Sequence, residues 1–351
     1  MRFPLSRARR TTVGLDIGSS LVKMVEIDHG RATPTLVRLG IVPLPPDAIV
    51  DGEVMDRLLV LDAVRECAES SGIRTRDVVT AVSGRALIVK KVTMDKMNVE
   101  DAQEAIHWEA EQHVPFDIDD VCLDFQILKE SVGNNQMQVL LVAAKKDMIH
   151  QHADLVRDAG LEPTIIDVDS FAIQNCYEAN YEPVAGRVVG LLDIGSEVTN
   201  LNIVQDGVPQ FTRDLSIGRS RFVEEVQREM NIGQDEANKL LSAKSTSDRE
   251  ESLREAVRRS AEEMALGVER SFAFLKGSGD AEKLDALMIS GGGAQMPLLR
   301  EFLAERHGVP VEVAQPLRQV GYDPALFSDK TVDEVAPLLT VGVGLGLRRV
   351  E

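Results

Sequence analysis

An acid, a glycine and two hydroxyls follow a short apolar run near the start of the chain: Asp16, Gly18, Ser19 and Ser20, with Lys23 shortly after them. Glycine lets a ligand oxygen approach the backbone, hydroxyl and amide groups donate hydrogen bonds to it, and lysine adds positive charge. This combination favours phosphate binding. An ordinary hairpin turn is the alternative, because a single Asp-x-Gly-Ser pattern is common.

A second copy of the pattern favours the phosphate-binding interpretation. Residues 192–196 repeat residues 15–19 letter for letter, half a chain length later. Strand-like runs and a glycine turn flank each copy, which predicts two related α/β lobes that direct both acidic turns toward one cleft. The second turn adds further candidate phosphate contacts next to its acid, Asp193, and these are Gly195, Ser196 and Thr199.

A triple glycine follows a strand-like run late in the chain, at Gly291, Gly292 and Gly293. It has neither the spacing of a Walker P-loop nor that of a dinucleotide-binding fingerprint. Alone it is a weak loop signal, but after two matching acidic turns it predicts the place where an adenosine passes bare backbone. Glu236 and Lys239 would then hold the ribose hydroxyls, and an ordinary surface ion pair is the alternative.

Composition excludes several classes of protein. The chain has 351 residues, 44% of them hydrophobic, and its formal net charge of −18 argues against nucleic-acid binding. Three scattered cysteines indicate neither a disulfide framework nor a metal cluster. No apolar run is long enough for a membrane span or a secretory signal, so we expect a cytoplasmic protein. The four arginines among the first ten residues are expected in a solvated tail, with contact to anionic lipid as the alternative.

The order of predicted elements divides the chain into a first lobe, an insert and a second lobe. Residues 77–82 and 87–92 are predicted strands of the first lobe, and the order helix, strand, strand, helix then indicates an inserted small domain. The expected segments are 1–92 (first lobe), 93–163 (insert), 164–186 (return to the first lobe), 187–325 (second lobe, with charged helices over 219–285 and the adenosine motif at 289–294) and 326–351 (a closing segment on the first lobe).

The predicted insert carries the only tryptophan of the chain, Trp108. A helix over residues 99–113 would place Val99, Ala102 and Ile106 on one apolar face and this ring on the opposite, polar face. In one interpretation a neighbouring lobe covers the ring. In the other it marks a partner-binding site, because aromatic residues are enriched at interfaces, and Phe116 is then the second candidate.

These motifs, in this order, resemble those of the superfamily that contains actin, the sugar kinases and the heat-shock chaperone ATPases. The resemblance covers nearly the whole chain: 16–23 and 193–199 match the two phosphate motifs, 290–294 the adenosine motif, and 169–172 and 340–346 the two connecting motifs. Four short motifs narrow the resemblance within the superfamily. They resemble the inserted domain of the PilM family of type IV pilus assembly and the segment that follows it, and they lie at residues 106–110, 115–116, 159–161 and 167–169.

The resemblance implies an α/β, two-lobed actin-like ATPase fold with duplicated lobes and a small inserted domain of the FtsA or PilM type. It implies ATP and Mg²⁺ in the cleft, with Asp16 and Asp193 on the water shell of the metal and Asp169 orienting the attacking water. The superfamily has Glu or Gln at this last position, so the shorter Asp169 predicts slow hydrolysis at most. An acid that stabilises a helix start is the structural alternative for Asp169.

The partners that the resemblance implies are those of a scaffold beneath the inner membrane. The PilM family binds the short cytoplasmic tail of PilN, so we expect a cytoplasmic chain peripherally associated with that membrane, near other platform proteins and motor ATPases, with self-association as a further possibility. FtsA, the filament-forming cell-division relative, ends in an amphipathic membrane helix that residues 347–351 do not supply. A small-molecule kinase and a nucleotide fold that serves only for docking are the remaining alternatives.

Overall fold

The computed structural model describes residues 10–50, 52–242, 250–278, 281–327 and 331–349. Its strands are β1 (Thr11–Ile17), β2 (Leu21–Asp28), β3 (Thr35–Pro43), β4 (Ile49–Val50), β5 (Glu53–Val54), β6 (Asp77–Val82), β7 (Leu87–Asp95), β8 (Val121–Lys129), β9 (Gln136–Lys145), β10 (Glu162–Val168), β11 (Val188–Ile194), β12 (Thr199–Gln205), β13 (Val208–Leu215), β14 (Ala286–Ser290), β15 (Val311–Val313) and β16 (Gly321–Tyr322). Its α-helices are α1 (Arg57–Ser71), α2 (Val99–His113), α3 (Lys146–Asp158), α4 (Asp169–Asn180), α5 (Arg219–Met230), α6 (Gln234–Ser242), α7 (Glu250–Ser278), α8 (Leu299–His307), α9 (Val332–Val335) and α10 (Thr340–Leu347).

Two large sheets share the connectivity of five strands, and the first sheet has a sixth strand, β16, paired with β3. Residues 321–322 were predicted in the second lobe and belong instead to the first. In the first lobe β1, β2 and β3 form an antiparallel meander, and β6 and then β10 add parallel strands beside β1. In the second lobe β11, β12 and β13 form the same meander, and β14 and then β15 add parallel strands beside β11. The repeated sequence therefore corresponds to a repeated lobe, as predicted.

Two helices lie between the lobes, α4 and α10. They share one apolar cluster with both large sheets, in which Val79 of the first sheet and Leu191 of the second are buried together with Val341 of α10. Glycines make this packing possible, because a Cβ on Gly14 would collide with a carbonyl of α10 and one on Gly344 would collide with a carbonyl of α4. The small residues of the closing helix thus bring backbone against backbone.

The inserted domain is a three-stranded sheet in the order β7-β9-β8, with α2 packed on it. Both predicted boundaries of the insert are corrected here. The helix α3 was expected to belong to the insert, which would end at residue 163, but Leu155 and Val156 of α3 are buried in the core of the first lobe, and β10 pairs with β6 from residue 162. Residues 87–92 were assigned to the first lobe and the insert was started at residue 93, but β7 pairs with β9 along its whole length from Leu87 to Asp95. An apolar strand pattern shows that a strand exists; it does not specify which sheet the strand joins.

The predicted charged helices and the arginine-rich start lie partly within the described residues. The charged stretch forms α5, α6 and α7, while residues 243–249 and 279–280 lie outside the description. The arginine-rich start up to residue 9 also lies outside it, whereas Arg10 pairs with Asp28 at 3.1 Å. Among the described helices, none combines the length and apolar character needed to cross a bilayer.

Candidate nucleotide-binding cleft

The first acidic turn is the hairpin between β1 and β2. The amide of Gly18 donates to the carbonyl of Leu21 at 3.0 Å and closes the turn. The strand register puts Asp16 opposite Lys23, and Lys23 Nζ lies 2.7 Å from Asp16 Oδ2. Burial lowers the pKa of Lys23, but the charge of Asp16 and the hydrogen bond to it outweigh burial, so its pKa is raised. This lysine is therefore a cation anchored at the base of the turn.

The second acidic turn joins β11 to β12 and has the same geometry. The amide of Gly195 donates to the carbonyl of Val198 at 3.0 Å. Thr199, predicted as a phosphate contact, is fully buried and donates its hydroxyl to the carbonyl of Ile217 at 2.6 Å. Its donor thus serves the fold in this structure, because strand pairing places it at the first position of β12 facing inward.

A row of polar side chains crosses the second-lobe sheet at the level of this turn. Strand register places Ser290, Asp193, Asn200 and Asp214 side by side on four neighbouring strands. Ser290 donates its hydroxyl to Asp193 Oδ1 at 2.7 Å, and Asn200 donates to Asp214 Oδ1 at 2.7 Å. Sequence reasoning identified Asp193 in this row, and Ser290 only as the start of the adenosine motif. Asn200 and Asp214 were missed, because a local pattern does not give the register of the β11, β12 and β13 meander.

The acids of the two lobes interact across the cleft. Burial raises the pKa of Asp193, and the charge of Asp16 adds to this rise, while Ser290 and Lys23 oppose it. Asp169, the first residue of α4, has a pKa raised to about 7 by burial, by Asp16 and by further acids of the second lobe, with a hydrogen bond from Ser83 opposing the rise. The charges of Asp16, Asp193 and Asp169 thus all act on one lysine, a charge balance that favours a cation. Within the described residues no three acidic, histidine or cysteine side chains are arranged to hold a metal ion directly.

The triple glycine packs against the end of β11. Gly291 has a φ of +80°, and a Cβ there would lie 2.5 Å from the carbonyl oxygen of Ile194. A Cβ on Gly293 would collide with the side chain of Ile194, whereas one on Gly292 would make only an ordinary contact, 3.7 Å from Leu338 Cδ2. Two of the three glycines are therefore required by the contact with Ile194, and Gly292 is the exposed one. Glu236 and Lys239 lie exposed on α6.

The predicted partner residues of the insert differ in their surroundings. Trp108 is 72% exposed, on the side of α2 away from the buried Ile106. Phe116 instead packs on the core of the small domain, with Lys145 Nζ 4.8 Å from its ring centre. The prediction that Val99 lies on the buried face of α2 is wrong, because its side chain is 57% exposed.

The first lobe exposes apolar side chains at the start of α1. Leu58 is 71% exposed, and Met55 just before the helix is 66% exposed. The buried face begins one turn later, with Val60 and Leu61. Periodicity alone does not show how early a helix leaves its core.

A short segment connects the cleft to the inserted domain. It contains Ser83, which bonds to Asp169, and Gly84, whose amide donates to Asp214 Oδ2 at 2.7 Å. The strand β7 follows directly, and its Lys91 donates to Gln210 Oε1 of β13 at 2.6 Å. The segment was predicted only as a hairpin turn, and no local pattern indicated that it reaches the second lobe.

Comparison with known proteins agrees with this architecture. Residues 14–350 match the family described as type IV pilus assembly protein PilM. The PilM-PilN type IV pilus biogenesis complex is similar with 30% identity over 97% of this chain and 99% of that chain, and a TM-score of 0.84.

More distant solved structures share the fold. The ethanolamine utilization protein EutJ from Carboxydothermus hydrogenoformans is 18% identical over 97% of this chain and 92% of its own, with a TM-score of 0.56. MreB5 of Spiroplasma citri bound to ADP is 13% identical over 95% and 94%, with a TM-score of 0.51. The two-lobed actin-like ATPase fold predicted from the sequence is confirmed, and the chain belongs to the PilM family of type IV pilus assembly proteins.

Proposed function

We propose that this chain is a nucleotide-binding scaffold of type IV pilus assembly that holds the tail of a PilN-like inner-membrane protein. The observation that carries the proposal is the convergence of Asp16, Asp193 and Asp169 around Lys23 between two matching turns. Membership of the PilM family and similarity to a PilM-PilN complex support the partner. Such a chain would act at the cytoplasmic face of the inner membrane through this partner.

The donor set of the cleft fits Mg²⁺ bound with ATP. Magnesium keeps several waters and is usually held through one or two carboxylates and phosphate oxygens. Asp16 and Asp193 would hold the water shell. Phosphate contacts would come from the two turns, at Gly18, Ser19, Ser20 and Lys23 on one side and at Gly195 and Ser196 on the other. The adenosine would pass Gly292, whose backbone is open, with Glu236 and Lys239 near the ribose.

Hydrolysis in this cleft would be slow. Asp169 would be the residue that orients a water, and its side chain is one methylene shorter than the Glu or Gln that the superfamily has at this position, so it would hold the water too far from the reacting phosphate. Its short side chain also bonds to Ser83, which holds it toward the inserted domain. Binding without rapid turnover suits a scaffold whose nucleotide state persists.

The inserted domain is positioned to sense the angle between the lobes. Its strand β7 lies between the first lobe, from which it emerges at Ser83, and the second lobe, to which Gly84 and Lys91 are hydrogen-bonded. A nucleotide that favours one lobe angle would therefore favour one position of the small sheet. The exposed Trp108 on that domain and the exposed Leu58 on the first lobe supply apolar anchors for a peptide tail.

Calorimetric titration with Mg-ATP tests the cleft, and titration with the synthetic cytoplasmic tail of the cognate PilN-like protein tests the partner site. We expect both to bind, and the tail affinity to differ between Mg-ADP and Mg-ATP. Trp108 fluorescence reports tail binding without a label, because it is the only tryptophan. ATP binding that survives Asp16→Ala with Asp193→Ala would argue against the cleft. ADP release that requires a sugar or an organic acid would indicate a small-molecule kinase instead.

A further inference from the structure

The start of α5 is fastened to the second acidic turn. The amide of Arg219 donates to the carbonyl of Gly195 at 2.9 Å, and the amide and hydroxyl of Ser220 both donate to the carbonyl of Ser196 at 2.8 Å. Gly218 allows this approach, because a Cβ on it would lie 2.5 Å from the Ser196 carbonyl. Three hydrogen bonds therefore join the first turn of α5 to the acidic turn.

The side chain of Arg219 reaches in the other direction, to α6. Its Nη1 donates to Asn238 Oδ1 at 2.6 Å, and its Nη2 lies 3.3 Å from the Asn238 carbonyl and 3.1 Å from the Ser242 hydroxyl. Asn238 stands between Glu236 and Lys239 on this helix. One residue thus joins the second turn, through its backbone, to the helix of the proposed ribose contacts, through its guanidinium.

The charge of Arg219 is unusual among the arginines of this region. Arg221, Arg228 and Arg259 pair with glutamates, whereas within the described residues no carboxylate pairs with Arg219. Burial lowers its pKa, and nothing opposes that shift. A half-buried cation without a counter-ion lowers the stability of the fold. Its place beside a proposed polyanion site is therefore better explained by a positioning role in that site.

We propose that Arg219 is a positioning residue of the nucleotide site that fixes the spacing between the second phosphate turn and the ribose contacts. Its guanidinium holds α6 so that Glu236 and Lys239 reach the ribose hydroxyls of a nucleotide whose phosphates lie at the turn. The preference for a ribonucleotide over an analogue without those hydroxyls then depends on Arg219. This inference rests on the proposed function, since it requires a nucleotide in the cleft.

The test compares ADP with 2′,3′-dideoxyADP, in the presence of Mg²⁺, by calorimetry on the full chain. The parent should bind ADP about tenfold more tightly, the effect of one or two hydrogen bonds. Arg219→Met should lower the affinity for ADP about tenfold and leave the affinity for the dideoxy analogue nearly unchanged, so that the preference disappears. Arg219→Lys keeps one bond to Asn238 and should retain part of the preference.

Two further variants separate positioning from general damage. Arg221→Met, on the same helical turn, removes a side chain that pairs with Glu263 and should leave the preference intact. Asn238→Ala removes the Oδ1 acceptor at the other end and leaves the Asn238 carbonyl and the Ser242 hydroxyl, so it should reduce the preference in the same direction and by less than Arg219→Met. It provides the test if Arg219→Met does not fold.

Four outcomes would overturn the inference. Equal losses for both nucleotides would show a structural role only, and an intact preference in Arg219→Met and Asn238→Ala would show no role at all. A parent that binds both nucleotides equally would contradict the positioning role of Arg219 and leave the proposed function intact. A parent that binds neither nucleotide would contradict both the positioning role and the proposed function.

Discussion

The two acidic turns have the same sequence and opposite surroundings. In the first, Asp16 is paired with Lys23, and the serines that follow remain open. In the second, Asp193 accepts a hydrogen bond from Ser290, and α5 and the triple glycine brace the turn from behind. The acid of the first turn is therefore balanced by an ion pair with Lys23, whereas the acid of the second is held by the hydroxyl of Ser290 and feels Lys23 only through its charge. The first is suited to exchange its partner for a ligand, the second to hold its shape.

The largest effect is expected from removing the two acids. Truncating one partner of a buried charge pair typically costs 2–5 kcal/mol, so Asp16→Ala with Asp193→Ala should lose at least about a hundredfold in affinity for Mg-ATP. The single variants break the symmetry. Without Mg²⁺, Asp16→Ala removes a negative charge and also frees Lys23 for a phosphate, so it should strengthen ATP binding severalfold. Asp193→Ala removes a negative charge but frees only a serine, so it should strengthen ATP binding less.

Calorimetry with and without Mg²⁺ measures both affinities. Asp158→Ala, whose carboxylate pairs with Arg57 on the surface, is the matched control and should behave like the parent in both conditions. Equal behaviour of the two single variants without Mg²⁺ would contradict the difference between the turns.

A stability difference is expected at the turn glycines. A Cβ on Gly195 would lie 2.7 Å from the backbone carbonyl of Val198, while one on Gly18 would lie 3.3 Å from that of Leu21. Overpacking against a fixed backbone typically costs 1–3 kcal/mol, so Gly195→Ala should lower the free energy of unfolding by about 2 kcal/mol and Gly18→Ala by about 0.5 kcal/mol. Urea denaturation of both variants measures this; equal losses would mean that the second turn is no more rigid than the first.

The excess of carboxylates over lysine between the turns predicts that the free energy of unfolding depends on pH. The pKa of Asp169 is raised to about 7 in the folded protein, above its value in the unfolded chain. The folded state therefore binds the proton more tightly, and this contribution to stability is present at acidic pH and is lost as pH rises through about 7. Asp169→Asn removes the titration, so between about pH 5 and pH 8 the parent should lose on the order of 1 kcal/mol relative to the variant.

Denaturation at both pH values without nucleotide and Mg²⁺ checks this difference. Asp154→Asn on the exposed side of α3 is the control and should follow the parent. A parent that gains stability relative to Asp169→Asn on going to higher pH would show that the carboxylate is not held against other acids.

The sequence sufficed for the parts of this molecule that a repeat or a local pattern encodes. The duplicated lobes, the helix α2 and the acids Asp16 and Asp193 all follow from residues read in order. The row that Asp193 forms with Ser290, Asn200 and Asp214 did not, because it depends on the register of the β11, β12 and β13 meander and on the parallel pairing of β14 with β11. Side chains that commit their only donor to the fold, such as Thr199, look like ligands until the carbonyl that they bond is known.

The smallest effect is expected where the second-lobe row meets the inserted domain. Asp214 accepts from Asn200 on its own sheet and from the amide of Gly84 at the start of the insert, so it connects the second lobe to the inserted domain, where we propose that the partner binds. Asp214→Asn keeps the size of the side chain and weakens the bond to Gly84, since an amide oxygen is a poorer acceptor than a carboxylate. Nucleotide binding and tail binding should each change by less than about threefold, because neither ligand contacts this residue. The ratio of tail affinities in Mg-ADP and Mg-ATP should fall toward one, because coupling requires a connecting element whose position depends on both binding sites.

Fluorescence titrations of Trp108 with the tail in each nucleotide measure this ratio. Asp206→Asn, at the turn between β12 and β13, is the control. An unchanged ratio in Asp214→Asn would place the coupling elsewhere, and the difference between the two turns would then concern nucleotide binding alone.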